Sequence, residues 1–345
     1  MTRELQPGKL KAGVIGIGNM GRHHVRNYAE MGGVALVGIV DLDKKLGRQL
    51  AKKFSTRYYA DYKEFFKNEK PDLVSVCVPT QLHLKIASEA LESGSNVLVE
   101  KPIASNVDEA KALIKLAKEK GLVLSVGHIE RFNPAVLKLK ELIGKGSLGT
   151  IVSVMARRAN AIPSRIKDAN VIFDIGVHDI DLLNFLLDSS PEGVYASGGK
   201  AILRKLEDYA DIFLEYPINN QGLAITGHIQ VNWITPVKIR KLNVTGTKGY
   251  AVANLISQEL FVFDTSYTTE FDDFEDYVGK FRESKSKKIA VKTKEPLLSE
   301  LEDFVASIKN PERKSLAASP EEALKALRIA TLATEKIRLK EDKLK

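Results

Sequence analysis

Short apolar runs alternate with amphipathic stretches over the first third of the chain. Ala12 to Ile17, Ala35 to Val40, Asp72 to Val78, Asn96 to Val99 and Leu122 to Val126 are dense in Val, Ile and Leu and too short for helices. Such runs predict strands buried on both faces, as in a parallel sheet. Between them, helical spacing predicts helices over Asn19 to Met31, Lys44 to Phe54, Asp61 to Asn68, Leu82 to Glu92 and Val107 to Lys120, the last closed by Gly121. Strand and helix in strict alternation specify an α/β, doubly wound domain.

After Gly127 the pattern changes. Phe132 to Ile143 reads as a helix ending at Gly144-Lys145-Gly146, and strands then follow one another with few helices between them. They are Thr150 to Arg157, Asp208 to Tyr216, Gly222 to Trp233, Val237 to Thr245, Tyr250 to Ala253 and Glu259 to Phe263. Leu223, Ile225, Ile229, Val231 and Trp233 alternate with Thr226, His228, Gln230 and Asn232, so one face of this sheet is buried. The expectation is an α+β domain with an open, largely antiparallel mixed sheet, whose polar-and-small face could carry a partner subunit. Thr265 to Thr293 is charged and irregular and reads as a surface excursion. Two helices close the chain, the second opening on Ser319-Pro320-Glu321-Glu322, a capping box with proline at the first helical position. Domains are expected at 1–127 and 128–345, with the C-terminal helices able to pack back on the first.

Composition narrows the class. With 345 residues, 44% hydrophobic and 28% charged, the chain reads as an ordinary globular protein of two domains. No run is apolar enough to span a bilayer, and the first residues lack a signal-peptide core, so a cytoplasmic location is expected. The single cysteine, Cys77, excludes an intrachain disulfide and a cysteine-based zinc cluster, and reads as a small core hydrophobe. A net charge of +8 is spread among glutamates without a basic, aromatic-interleaved patch. This argues against nucleic acid and leaves room for an anionic substrate.

The first strand runs into Gly16-Ile17-Gly18-Asn19-Met20-Gly21, and a helix opens behind it. Gly16 allows the tight bend, Gly18 lets the backbone approach a pyrophosphate, and Gly21 lets the helix pack on its strand. Asp41 ends the second strand 20 residues past Gly21, placed to bind an adenosine ribose and to repel a 2′-phosphate. These features together specify a Rossmann-type dinucleotide domain with NAD expected over NADP.

Other polar groups carry the chemistry. Glu100-Lys101-Pro102 ends a strand, where open α/β sheets place their ligands, and a lysine there can offset charge on a developing alkoxide. If the stretch from Phe173 to Leu183 is helical, Asp174 and His178 share a face. The histidine could then take a hydroxyl proton while the carboxylate orients it or binds substrate. A capping Asp with an exposed His, or a His/Asp metal site, would leave the same pattern; no further ligand spacing accompanies it, and no metal is expected. His83 opens a helix after Pro79-Thr80, close to where a cofactor would lie, and His128 follows the last strand and could line a crevice. Arg131, Arg157, Arg158 and Arg165 are candidates for gripping an anionic substrate.

Four motifs in order resemble the Gfo/Idh/MocA oxidoreductases: Gly16-Ile-Gly-Asn-Met-Gly-Arg-His-His, Val78-Pro79-Thr80-x-x-His83, Glu100-Lys101-Pro102 and Asp174-x-Gly176-x-His178-x-x-Asp181. The resemblance covers nearly the whole chain. It implies an N-terminal Rossmann domain, a C-terminal open sheet that mediates homodimers or homotetramers, and NAD(P)-dependent oxidation of a carbohydrate carbinol. It implies further that Lys101 is the catalytic lysine and that Asp174 and His178 form the acid–histidine pair of inositol-dehydrogenase-type members. Cofactor contacts are expected from Gly16, Ile17, Gly18, Asn19, Met20, Asp41, Val78, Pro79, Thr80, His83, Glu100, Lys101 and His128. Substrate contacts are expected from Lys101, Asp174, His178 and the four arginines. Within the family, Gly127 to Pro134 is similar to UDP-N-acetylglucosamine 3-dehydrogenases. The expected substrate is that nucleotide sugar, oxidised at C3. An inositol or simple sugar, or a non-catalytic NAD-bound regulator, are the alternatives.

Overall fold

Six parallel strands form the first sheet: β1 (Leu10–Ile15), β2 (Val34–Val40), β3 (Arg57–Tyr59), β4 (Leu73–Val76), β5 (Asn96–Glu100) and β6 (Leu124–Gly127). Their order, β3-β2-β1-β4-β5-β6, reverses direction between β1 and β4. That reversal opens a crevice at the carboxyl ends of the strands. The computed structural model from which this is read describes residues 8–162, 169–218, 222–264 and 286–343.

Helices α1 (Gly21–Glu30), α2 (Lys44–Phe54), α3 (Tyr62–Glu69), α4 (His83–Glu92) and α5 (Val107–Lys120) connect these strands. Asp43, Asp61 and Asn106 accept hydrogen bonds from first-turn N–H groups of α2, α3 and α5, and Gly121 ends α5 in the left-handed region. Strand β3 lies outside the expected elements because three residues, Arg57 to Tyr59, carry no readable alternation.

By contacts the chain divides into two compact units, Met1–Phe132 with Glu295–Leu327, and Asn133–Lys294 with Arg328–Lys345. The division differs from one expected at 127/128 for a packing reason. Helix α8 (Pro296–Lys309) buries Leu297, Leu301, Phe304 and Val305 in the same core as Ala12 and Val14 of β1 and Val25 and Tyr28 of α1. At the other edge, Asn133 caps α6 (Pro134–Gly144) with Pro134 in its first turn, so that helix opens the second unit.

The second sheet contains β7 (Ile151–Ala159), β8 (Gly193–Gly199), β9 (Tyr209–Ile218), β10 (Ala224–Asn232), β11 (Ile239–Gly246), β12 (Gly249–Asn254), β13 (Glu259–Asp264) and β14 (Ser286–Ile289). They are ordered β14-β13-β12-β11-β7-β10-β9-β8, and β7 with β10 is the parallel pair in an otherwise antiparallel ladder. Helix α7 (Val177–Leu187) lies against β7 and β10. On the opposite, open face a cross-strand row runs Tyr195, Phe213, His228, Met155, and the Phe213 and His228 rings stack at 4.4 Å. Two strands of this sheet escape the sequence reading. Glycine-rich β8 shows weak alternation, and lysine-rich β14 falls inside the stretch taken for an excursion; residues 265–285 of that stretch lie outside the described residues. Helix α9 (Pro320–Lys343) opens on the expected capping box, with Ser319 N–H donating to Glu322 Oε2 at 2.9 Å and Glu322 N–H to Ser319 Oγ at 3.2 Å.

Candidate active site

In the first unit, the glycine loop connects β1 to the N-terminus of α1. Gly16 has φ +86°, and a Cβ there would lie 2.6 Å from the Cys77 carbonyl oxygen; one at Gly21 would collide with the Gly16 carbonyl. Both glycines are required by the bend itself. Gly18 is different: a Cβ would meet no protein atom within 4 Å, and its φ is not in the left-handed region. Nothing among the described residues demands glycine at 18, and Gly18 and Asn19 are exposed at the positive end of a helix. A phosphate drawn against the backbone supplies the missing reason, so the residues present fit a dinucleotide.

Asp41 ties this loop to the end of β2. Its Oδ2 accepts from Ile17 N–H at 2.7 Å and its Oδ1 from Asp43 N–H at 2.8 Å, with the carboxylate still partly exposed. Arg22 belongs to the same cluster and is absent from the expected residues. Its guanidinium donates to Asn19 Oδ1 at 2.7 Å and to the Gly18 carbonyl at 3.3 Å, which sets a positive charge on the loop. Its place one residue beyond the glycine motif was the available signal.

Val78, Pro79 and Thr80 follow β4 and Lys101 follows β5, all on the crevice side of the sheet. Lys101 is half-buried, and its bond to Pro102 is cis. Two residues expected to touch the cofactor, His83 and Glu100, have side chains engaged inside the protein, and a third, His128, is buried. His83 is 1% exposed, and its ring is wedged between the Pro102 carbonyl at 2.9 Å and the Val78 carbonyl at 3.0 Å, where its one N–H as a neutral ring can donate to either. Burial pushes its pKa down. Glu100 points into the interior against His24 Nε2 at 3.0 Å. Burial opposes its ionisation, but the His24 hydrogen bond and charge, with Lys101 beyond, hold its carboxyl below the usual range. His128 is 2% exposed, with its backbone N–H on the Val126 carbonyl. Arg131 is a further correction: its side chain is 3% exposed and pairs at 3.3 Å with Glu322, the capping-box glutamate, so it holds the start of α9 and not a substrate.

In the second unit, Asp174 lies in a π-helical turn, Ile172–Gly176, that runs directly into α7. Turns of this kind are rare and concentrate at functional sites. Asn170 holds its start, accepting from the N–H groups of Ile172 and Phe173 at 3.1 Å each. Asp174 and His178 are both half-buried, one turn apart, whereas Asp179 and Asp181 beyond them are buried. Asp174 and His178, the expected acid–histidine pair, are thus less buried than the two aspartates that follow them.

The arginines of β7 do not join it. Arg158 is 1% exposed and grips Asp179 through Nε at 2.9 Å and Nη2 at 2.8 Å, which makes it a tie between β7 and α7. Arg157 is exposed and, by strand alternation, lies on the open face opposite α7, beside Gln230 and Lys241. Arg165 lies outside the described residues. Among the described residues no helix is long and apolar enough to cross a membrane.

Comparison with known proteins identifies both halves of the chain. Residues 10–128 match the Gfo/Idh/MocA oxidoreductase family, NAD-binding Rossmann fold, and residues 136–252 match the Gfo/Idh/MocA C-terminal domain. The UDP-N-acetylglucosamine 3-dehydrogenase of Acidithiobacillus ferrooxidans is 27% identical over 87% of this chain and 88% of its own. Its solved structure superposes with a TM-score of 0.80 at 25% identity, covering 95% of this chain and 98% of that one. The scyllo-inositol 2-dehydrogenase (NAD(+)) of Bacillus subtilis is 28% identical over 80% of this chain and 83% of its own. A protein of gentamicin A biosynthesis, solved in complex with NAD, shares the fold with a TM-score of 0.78 at 22% identity, covering 97% and 96% of the two chains.

Proposed function

The chain belongs to the Gfo/Idh/MocA oxidoreductases, and from that premise we propose that it oxidises a ring hydroxyl of a sugar or polyol with NAD, with C3 of UDP-N-acetylglucosamine as the specific substrate position. The observation that carries the reading is the half-buried pair Asp174, on a π-helical turn, and His178, one turn on, in a chain whose other unit carries Lys101 at the end of β5 and a dinucleotide-type glycine loop at the end of β1.

Bound nicotinamide supplies the acceptor for the hydride that leaves the carbinol carbon. His178 takes the hydroxyl proton of that carbon, Asp174 orients the imidazole or a neighbouring hydroxyl, and Lys101 donates to the oxygen as negative charge develops. The family resemblance supports these three roles. Asp41 favours NAD, since its carboxylate accepts ribose hydroxyls and repels a 2′-phosphate.

The nucleotide sugar is supported by likeness to the Acidithiobacillus enzyme over most of both chains. Because Arg131 and Arg158 are spent on Glu322 and Asp179, and Arg157 lies on the open face, these arginines lend it no support. The similarity to an inositol dehydrogenase favours a second reading, oxidation of an inositol. The homodimer or homotetramer that the resemblance implies would cover the open face bearing Tyr195, Phe213 and Met155, and light scattering reads its mass.

The test is incubation of purified protein and NAD with UDP-N-acetylglucosamine, inositols and hexoses, following NADH absorbance, with 2-oxoglutarate added to reveal bound NADH that is recycled. Turnover of UDP-N-acetylglucosamine supports the first reading, and turnover of inositols alone replaces it with the second. Silence throughout, with and without the acceptor, rejects the enzymatic reading in favour of a regulator.

A further inference from the structure

One buried polar chain in the first unit is untouched by the proposed chemistry. Glu100, the last residue of β5, meets His24 Nε2 at 3.0 Å; His24 Nδ1 meets Ser75 Oγ on β4 at 3.0 Å; Ser75 Oγ meets the Tyr28 hydroxyl at 2.9 Å. His24, Ser75 and Tyr28 are all fully buried. An ionised Glu100 only accepts, so His24 Nε2 donates to it, and His24 Nδ1 and the two hydroxyls continue the chain inward.

This chain connects the two parts of the unit that must be in register for a redox reaction. His24 sits in the first turn of α1, behind the glycine loop, and Glu100 immediately precedes Lys101. Lys101 is the first residue past the strand, so fixing Glu100 in the interior fixes the backbone from which Lys101 emerges. On the other side of Lys101, His83 meets the Pro102 carbonyl at 2.9 Å. A merely cohesive role would not call for a buried carboxylate, because apolar residues of similar volume fill such sites at equal or lower cost. Cys77 Sγ also lies within 4.8 Å of His24 and Glu100 donor atoms, but both imidazole nitrogens are already engaged by Ser75 and Glu100, so the trio does not read as a metal site.

We propose that His24 is a positioning residue: through Glu100 it sets Lys101 against the glycine loop. The inference rests on the reading of Lys101 as the lysine that touches substrate. Its test compares His24→Asn, His24→Gln and Lys101→Ala in the full-length protein, with NAD and whichever sugar or inositol the wild type oxidises best. Gln can place a donor where Nε2 stood; Asn reaches only toward Ser75. His24→Asn should lose about 10²-fold in kcat, as a small misplacement of a reacting group does, with KM and NAD affinity little changed. His24→Gln should recover most of that loss. Hydrogen exchange should quicken at the amides of Glu100, Lys101 and Ile103 in His24→Asn and stay at the wild-type rate in β1 and β2. Wild-type kcat in His24→Asn beside an inactive Lys101→Ala overturns the proposal alone. So does an equal loss in Asn and Gln variants with faster exchange throughout the unit. Undiminished turnover in Lys101→Ala removes the reading beneath it instead.

Discussion

Arg158 on β7 holds Asp179 on α7 in a buried, two-pronged ion pair, with Nε and Nη2 both within 3.1 Å of the carboxylate oxygens. Asp179 is the next residue after His178, so this pair sets the helix that carries the proposed base. An arginine so deeply paired is unavailable to substrate, and its removal leaves a buried charge uncompensated. Arg158→Ala should destabilise the protein by about 3–5 kcal/mol, whereas Arg158→Met with Asp179→Leu should restore most of it. Chemical denaturation of the two variants checks the difference.

Removing the proposed base should separate chemistry from cofactor binding. His178→Ala should lose about 10²–10⁴-fold in kcat while NAD still raises the melting temperature. Lys101→Ala should lose about 10²–10³-fold, with both read from NADH formation. Near-normal turnover in His178→Ala would end its assignment as base.

At the cofactor loop, Asp41→Ala should weaken NAD and relax discrimination against NADP, measured as the ratio of their dissociation constants. A wild-type preference for NADP contradicts the assignment. Two glycine variants divide structural from ligand-imposed need. Gly16→Ala, at φ +86° and against the Cys77 carbonyl, should cost stability by about 1–3 kcal/mol. Gly18→Ala should leave the melting temperature of the free protein unchanged and abolish most of the shift produced by NAD.

A second carboxylate supports the π-helical turn from below. Glu207 is fully buried, accepts from Asn170 Nδ2 at 2.9 Å and from Arg338 Nε at 2.8 Å, and Asn170 in turn caps the turn bearing Asp174. Burial alone would raise its pKa, but these hydrogen bonds bring it down to about 2. A carboxyl with a depressed folded pKa contributes stability that is full above its unfolded value of 4.5 and is lost as pH falls toward 2. Arg338→Ala should therefore destabilise at pH 7, by about 1–3 kcal/mol, and the gap from wild type should narrow between pH 4.5 and 2. A gap that stays constant through that window would show that the Arg338–Glu207 pair is not its source.

Much of the fold is local and therefore legible. Lys44–Phe54 and Val107–Lys120 stand in the structure where helical spacing puts them, because Asp43, Asn106 and Gly121 are residues whose own chemistry starts or stops a helix. Strands β3, β8 and β14 were hidden, since short, glycine-rich or lysine-rich segments become strands through the neighbours they pair with. The arginines were unreadable for a related reason: adjacent Arg157 and Arg158 are identical in sequence and opposite in fate, one facing the open side and one gripping Asp179.

What the chain's order of residues determined by itself was the glycine turn, the strand-ending Asp41, and Asp174 and His178 one helical turn apart, since each is set by backbone geometry over a few residues. Only the tertiary structure decided which polar groups are spent inside. His24 and Glu100 are 76 positions apart, and Arg131 and Glu322 are 191 apart. Their pairing follows from packing of distant elements, where a buried charge must find its partner or stay out of the core.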